Sequence, residues 1–365
     1  MTRLLDAHHL RAAYRTPDGS EVFAVDDVSV HVDEGEVLGV AGESGCGKST
    51  LGAILSLTVR DPLYVESGTL EIDGKTQDFG AGSKIPRTWR GSVVSLLPQG
   101  AMNSISPTMK VRDLCYDVLK AHDRKATRGE AVDRAKERLA DLGLPTRVLD
   151  AYPHQLSGGM KQRVVTIIST LLNPRLLIAD EPTSALDVSS QKALIEMLQE
   201  MLDKRIMSGV IFVTHDLAVL RTVSNRISVM YAGKIAEIGD SADIVERPRH
   251  PYSAALLSSV LVPEPAYRTK RVLGIPGSPP NLLHPPAGCR FHPRCGLVMD
   301  ECRTNEPPQD GDELRFSACF WSAQHPGQSV PVTEVTSDAL DDELPDDPAD
   351  GGRLVATADI AGTPA

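Results

Sequence analysis

Within the first 35 residues, Val28, Val30 and Val32 alternate with Ser29, His31 and Asp33, the period of a half-buried strand. A short apolar run, Val37-Leu38-Gly39-Val40, then meets a glycine-rich turn and an apolar-periodic stretch from Ser49 to Leu57. That order predicts strand, loop, helix. Two further apolar runs, Leu176–Ala179 and Val210–Val213, flank a helix in which Leu194, Met197/Leu198 and Met201/Leu202 recur at helical spacing. Buried strands alternating with helices predict a largely parallel sheet covered on both faces. Residues 105–160 break the rhythm: Glu130–Leu142 is charged and helical with no strand beside it, which predicts an inserted helical subdomain. Ile227–Gly239 reads as a hairpin turning at Ala232-Gly233.

Composition narrows the class. A chain of 365 residues has room for one large domain and a smaller one. Its longest apolar stretches, such as Val164–Leu172 and Ala254–Pro263, are interrupted by Ser or Thr and fall short of the roughly 18–20 residues that span a bilayer. The N-terminus has no apolar core of a secretory signal, so a soluble, cytosolic chain is expected. The net charge is −11, which argues against a nucleic-acid partner held on a basic face. Most of that charge is local. Residues 327–365 carry nine acidic side chains against the single Arg353. This aromatic-free tail cannot build a core and is expected to be disordered. Prolines crowd residues 263–308 and four of the six cysteines lie between 289 and 319, which marks a second, small domain from about Pro248.

The chemistry begins at Gly42-Glu43-Ser44-Gly45-Cys46-Gly47-Lys48-Ser49-Thr50, a complete G-x-x-x-x-G-K-[ST] phosphate loop. Glycines let backbone N–H groups turn inward around phosphate oxygens, and the following helix aims its positive end at the same anion. Lys48 is expected at the β- and γ-phosphates and the Ser49 hydroxyl on Mg²⁺. Leu176–Asp180 is an apolar strand that ends in Asp180-Glu181-Pro182. Asp180 is expected to hold Mg²⁺. Glu181, pointing to the other face of the pleat, is expected to polarise the water that attacks the γ-phosphate. These features together predict an ATPase.

Leu156-Ser157-Gly158-Gly159-Met160-Lys161-Gln162-Arg163 narrows it further. With Gln99, Ser184-Ala185-Leu186-Asp187 and His215, which follows the Val210–Val213 run, the motifs stand in an order that resembles the ABC-type ATPases. The resemblance implies a P-loop nucleotide-binding domain of mixed, largely parallel sheet over residues 1–247, with an antiparallel β-subdomain and a helical subdomain at about 100–165. It further implies a head-to-tail pair of such domains. Each ATP would lie between the phosphate loop of one and the Ser157-Gly158-Gly159-Met160 motif of the other, with Ser184 and Asp187 in the D-loop. Gln99 is implied as a Mg²⁺ and catalytic residue, His215 as a γ-phosphate contact, and Tyr14 as the aromatic stacked on adenine, where a core role for that ring is the alternative. Met160 and Gly100-Ala101 depart from the family's usual Gln and Asp-Pro, without removing a phosphate or metal contact.

His250-Pro251-Tyr252, Gly274–Pro280 and Gly288-Cys289–Cys295 resemble the C-terminal extension of oligopeptide/dipeptide-type import ATPases, which nickel importers largely share. That extension would occupy 248–326, leaving 327–365 as the tail. The resemblance implies two transmembrane permease subunits, a second ABC ATPase (the same or a paralogous chain), an extracytoplasmic substrate-binding protein and a peripheral position on the cytoplasmic face of the cell membrane. Peptides are the expected cargo, with nickel or glycan import and a non-transport ABC ATPase as rivals. Cys289, Cys295, Cys302 and Cys319 suit Cys₄ ligation. Their spacing alone fits neither zinc pairs nor ferredoxin runs. The family favours a [4Fe-4S] cluster, with zinc or unligated thiols as alternatives; His292 is a candidate substitute ligand, with a structural role the more usual one for a Pro-flanked histidine. Cys46, inside the phosphate loop, is expected to have a steric role, although an exposed thiol beside the helix N-terminus would be reactive.

Overall fold

The computed structural model describes residues 2–80, 82–101, 105–184, 186–259, 270–271, 274–330 and 335–336. The two longest strands, β1 (Arg3–Arg15) and β2 (Glu21–Asp33), pair antiparallel with several register shifts that interrupt the alternation of buried and exposed positions. With β4 (Leu63–Ile72) and β5 (Lys75–Asp78) they make a four-stranded antiparallel sheet, ordered β2-β1-β4-β5.

The second sheet carries the chemistry. Four strands are parallel: β3 (Val37–Ala41), β6 (Val94–Leu97), β7 (Leu176–Asp180) and β8 (Gly209–Val213). Beside β3 lies β9 (Arg226–Tyr231), also parallel to it. The chain then reverses into β10 (Lys234–Asp240). Ala232 and Gly233 turn this hairpin with φ of 49° and 85°, the left-handed pair that matches strand twist. The strands β3, β7 and β8 are buried almost throughout, as two covering layers require. One layer is the antiparallel sheet with α1 (Lys48–Leu55), where Leu5, Leu10, Val25, Leu51, Ile54, Ile178 and Met230 form one core. The other is helical. Its core joins Phe212 of the sheet to α2 (Val111–His122), α3 (Arg128–Asp141), α4 (Gly158–Thr170), α5 (Val188–Asp203) and α6 (Leu217–Val223).

The helix expected from Glu130 starts earlier, at Arg128, because Thr127 and Glu130 form a reciprocal cap. Glu130 N–H donates to Thr127 Oγ1 at 3.2 Å and Thr127 N–H to Glu130 Oε2 at 2.7 Å.

The C-terminal region shares this architecture. After α7 (Ser241–Glu246) and α8 (Pro251–Ser258), β11 (Lys270–Arg271) pairs with β14 (Val335–Thr336). Between them, β12 (Gln309–Gly311) and β13 (Phe316–Ala318) add to the free edge of β10, and α9 (Phe320–Gln324) follows. The large sheet therefore runs β12-β13-β10-β9-β3-β8-β7-β6. Tyr252, Leu256 and Phe291 enter the helical core and Phe316 the other. The acidic tail expected to be disordered lies outside the described residues, apart from 327–330 and 335–336. Among the described residues no helix is long and apolar enough to cross a membrane.

Candidate active site

The parallel strands β3 and β7 deliver their C-terminal ends to one edge of the sheet, where a crevice is expected to bind ligand. Gly42 leaves β3 with φ 147° and Gly47 precedes α1 with φ 110°. A Cβ at Gly42 would lie 2.3 Å from the Met230 carbonyl oxygen, and one at Gly47 2.0 Å from that of Ala24. The loop therefore needs glycine at both places. Its path leaves Lys48 pointing inward, with Nζ donating to the carbonyls of Gly42 at 2.6 Å and Glu43 at 2.9 Å.

A cleft of about 440 Å³ opens over this loop. It gathers nine of the residues expected at the nucleotide: Tyr14, Ser44, Gly45, Gly47, Lys48, Ser49, Thr50, Gln99 and Glu181. Tyr14 Oη is 3.0 Å from Thr50 Oγ1, which fixes the ring at the rim. Asp180 joins through Ser49, whose Oγ donates to Asp180 Oδ1 at 3.2 Å. That separation suits two neighbouring corners of an octahedron with metal–oxygen distances of about 2.1 Å, so these oxygens fit Mg²⁺. Burial raises the Asp180 carboxyl above its ordinary value, and Glu181 adds to the rise against the opposing Ser49 hydrogen bond and Lys48 charge.

Glu181 differs from the expected pleat alternation. The strand has ended at Asp180, and Glu181 turns out of it with φ 47° while its N–H donates to Val213 O at 2.9 Å. This left-handed turn, which is costly for a non-glycine residue, brings its carboxylate to His215. Nδ1 lies 2.9 and 3.1 Å from the two oxygens.

The Ser157 motif is not part of this cleft. Ser157 caps α4, accepting the Met160 N–H at 3.3 Å. Ser157, Gly159 and Met160 line a separate hollow with Ser189 and Ser190. A Cβ at Gly158 or Gly159 would meet nothing within 4 Å, so the packing of this chain does not require glycine there. Asp187 caps α5 through the Ser190 N–H at 2.9 Å, and the hydroxyls of Ser189 and Ser190 help hold its carboxyl down at about 2. Ser184 sits in a small hollow beside Glu181 and Pro182; Ala185 lies outside the described residues.

The Cys46 thiol is buried under the loop at 5% exposure, and burial raises its pKa, so it fills space there and is not an exposed, reactive thiol. The four-cysteine ligand set, by contrast, is not assembled. Backbone N–H groups of Phe291 and His292 reach Cys289, that of Leu297 reaches Cys295 at 3.3 Å, and those of Trp321 and Ser322 reach Cys319. Such donors favour thiolates. Burial nonetheless dominates, pushing Cys289 to about 11 and Cys295 to about 12, and among the described residues no three Cys, His, Asp or Glu side chains are placed to hold a metal ion. His292 turns its Nδ1 to the Cys289 carbonyl at 2.9 Å.

The C-terminal region contributes to the cleft in a way no local pattern announced. Leu282 lines it, Tyr252 Oη accepts the Glu43 N–H at 2.8 Å, and Arg294 grips the Glu43 carboxylate with both terminal nitrogens, at 2.6 and 3.0 Å.

The fold and the phosphate loop define an ABC-type nucleotide-binding protein. The ABC transporter family matches residues 25–184, and the oligopeptide/dipeptide transporter C-terminal region matches 236–302. The oligopeptide transport ATP-binding protein OppD of Bacillus subtilis is 40% identical over 311 residues, covering 84% of this chain and 86% of that one. The dipeptide transport ATP-binding protein DppD of Caldanaerobacter subterraneus is 38% identical over 84% of this chain and 93% of its own length. The solved ATP-binding cassette MJ0796, a dimer in a post-hydrolysis state with ADP and phosphate, shares the fold with a TM-score of 0.54 at 23% identity, over 65% of this chain and 99% of its own. The chain belongs to the ATP-binding proteins of the oligopeptide/dipeptide ABC transporter family, and it is an ATPase of that class.

Proposed function

We propose that the chain hydrolyses ATP to drive peptide uptake, lying on the cytoplasmic face of the cell membrane against two permease subunits. The observation that carries the catalytic half is the convergence of Lys48, Ser49, Gln99 and Glu181 on one cleft, with Asp180 and His215 held against it. Lys48 neutralises the β- and γ-phosphates. Mg²⁺, held by Ser49 and Asp180 with Gln99 beside them, supplies charge stabilisation for the transferred phosphoryl group. Glu181 orients a water and accepts its proton as the water oxygen bonds to the γ-phosphorus and the bond to the β-phosphate oxygen breaks, leaving ADP and phosphate. His215 fixes the Glu181 carboxylate.

The separation of the Ser157 motif from the cleft supports a composite site. One chain supplies the phosphate loop, and a second copy or related chain supplies Ser157, Gly158, Gly159 and the α4 N-terminus. A peptide cargo, delivered by an extracytoplasmic binding protein, is supported by the 236–302 match and by the transport names of the relatives. For the four cysteines, the backbone N–H donors on Cys289, Cys295 and Cys319 favour thiolates, and a [4Fe-4S] cluster would require the four sulfurs to draw together, with zinc the competing metal. Iron and zinc analysis of anaerobically purified protein decides between them: four irons per chain supports the cluster, stoichiometric zinc or no metal removes it. Pull-down of the chain from its own membranes tests the transport reading. Co-purifying permeases and a peptide-binding protein are expected, and recovery without any membrane subunit would contradict it.

A further inference from the structure

The nucleotide cleft has two kinds of wall. Its polar lining (Lys48, Ser49, Gln99, Glu181) comes from the phosphate loop, α1 and the ends of β6 and β7. Its apolar lining comes from Val22 and Ala24 of β2, the ring of Tyr14, and Leu282, more than 230 residues further along the chain. A purine base needs the apolar end.

Arg294 ties Leu282's segment to the phosphate loop. Its guanidinium is buried, with the side chain 5% exposed. Nε donates to Pro276 O at 2.7 Å, in the stretch leading to Leu282, and Nη1 donates to Tyr231 Oη at 3.2 Å. The two terminal nitrogens also clasp Glu43, the second residue of the phosphate loop. Planar, bidentate pairing fixes orientation as well as distance. Tyr252 grips the same turn through the Glu43 N–H, and Tyr231, Tyr252 and Phe291 pack ring against ring with centroids 4.5–5.3 Å apart. Arg290 fastens the same C-terminal loop to Ala232 O and Asp26, and the N–H of Gly233 in that hairpin turn donates to Cys46 O at 2.8 Å.

We propose that the C-terminal region is a structural part of the ATP site: Leu282 is a specificity residue that walls the base end, and Arg294 is a positioning residue that sets the phosphate loop through Glu43. The two roles separate experimentally. Leu282 brings only apolar surface to the cleft, so its loss is expected to weaken nucleotides and spare inorganic polyphosphate. Arg294 acts on the loop, so its loss weakens both.

The test is displacement of a fluorescent ATP analogue from the full chain by ATP and by inorganic tripolyphosphate, with thermal unfolding measured on each variant. Leu282→Ala is expected to weaken ATP about tenfold and leave tripolyphosphate unchanged, with Leu282→Met close to the unaltered chain. Arg294→Ala is expected to weaken both competitors about tenfold, Glu43→Gln to do likewise, and Arg294→Lys to recover part of the loss. Unchanged ATP affinity in Leu282→Ala and Arg294→Ala would overturn the proposal, as would equal losses of both competitors in Leu282→Ala. The proposal rests on the ATP site described above, and Lys48→Ala separates the two. If Lys48→Ala binds ATP normally, the site reading fails; if it loses ATP while the C-terminal variants keep it, the present proposal alone fails.

Discussion

In the proposed mechanism Glu181 is the residue on which the chemistry turns, and its geometry is unusual for a side chain of its size. A φ of 47° has to be held in place by its surroundings, here the Val213 carbonyl and the His215 ring. Glu181→Gln keeps the shape and removes the proton acceptor. Turnover should fall at least about 100-fold while ATP still binds, so the protein should collect as an ATP-bound dimer; undiminished phosphate release would remove Glu181 as the base. His215→Ala should lower turnover with little change in the KM for ATP, because His215 reaches the cleft through Glu181. A KM rise with unchanged kcat would instead make it a substrate-binding group. The identities of these residues were legible in the sequence because each motif is local. The turn at Glu181 was not, since it depends on a hydrogen bond that Glu181 N–H donates to a strand more than thirty residues away.

At the scale of elements, α8 has an N-terminus that two buried titratable groups share. Glu237 of β10 accepts the N–H groups of Arg249 at 2.7 Å and His250 at 3.0 Å. His250 accepts the Tyr252 N–H at 2.9 Å. Burial raises Glu237 from 4.5 to about 7 and lowers His250 from 6.5 to about 4. The signs oppose. A raised acid binds its proton more tightly in the folded chain, so its contribution falls as pH rises from 4.5 to 7, by on the order of 3 kcal/mol. A depressed histidine binds its proton less tightly when folded, so its contribution is full above 6.5 and is lost as pH falls toward 4. Between 4.5 and 6.5 the two nearly cancel. Glu237→Gln removes one slope, and its Tm should drop relative to the unaltered protein as pH falls from 6.5 to 4.5. Parallel pH profiles would contradict this account of α8.

Strand and helix periods predicted the alternating core and the hairpin at Ala232-Gly233. They did not predict that β12 and β13, three residues each, would extend the ATPase sheet. Strands that short carry no readable period, and pairing across some eighty residues leaves no local trace.

At the scale of the whole molecule, the phosphate loop and the Ser157 motif, proposed as two half-sites, face different surroundings. The phosphate loop looks into its own cleft, while Ser157, Gly159 and Met160 border a hollow beside α5. Val188 begins α5 at 83% exposure, next in sequence to Ser189 and Ser190 of that hollow, and on the composite-site proposal this apolar side chain would meet the second ATPase. Val188→Asp should abolish ATP-dependent dimerisation, read by light scattering, while leaving ATP affinity of the single chain unchanged; a dimer that forms normally would move the interface elsewhere. The same scale explains what the sequence hid about the C-terminal region. Its resemblance to a transporter extension was readable, but the reach of Leu282 and Arg294 into the nucleotide site was not, because a contact spanning 251 residues has no spacing to detect.

The most direct test of the central claim, that this ATPase powers peptide import, is uptake of a labelled peptide into vesicles holding the reconstituted transporter with its binding protein. ATP supplied on the ATPase side should drive accumulation, and Glu181→Gln should abolish it while the complex stays assembled. ATP hydrolysis at full rate with no peptide accumulated, or accumulation that persists in Glu181→Gln, would contradict the account.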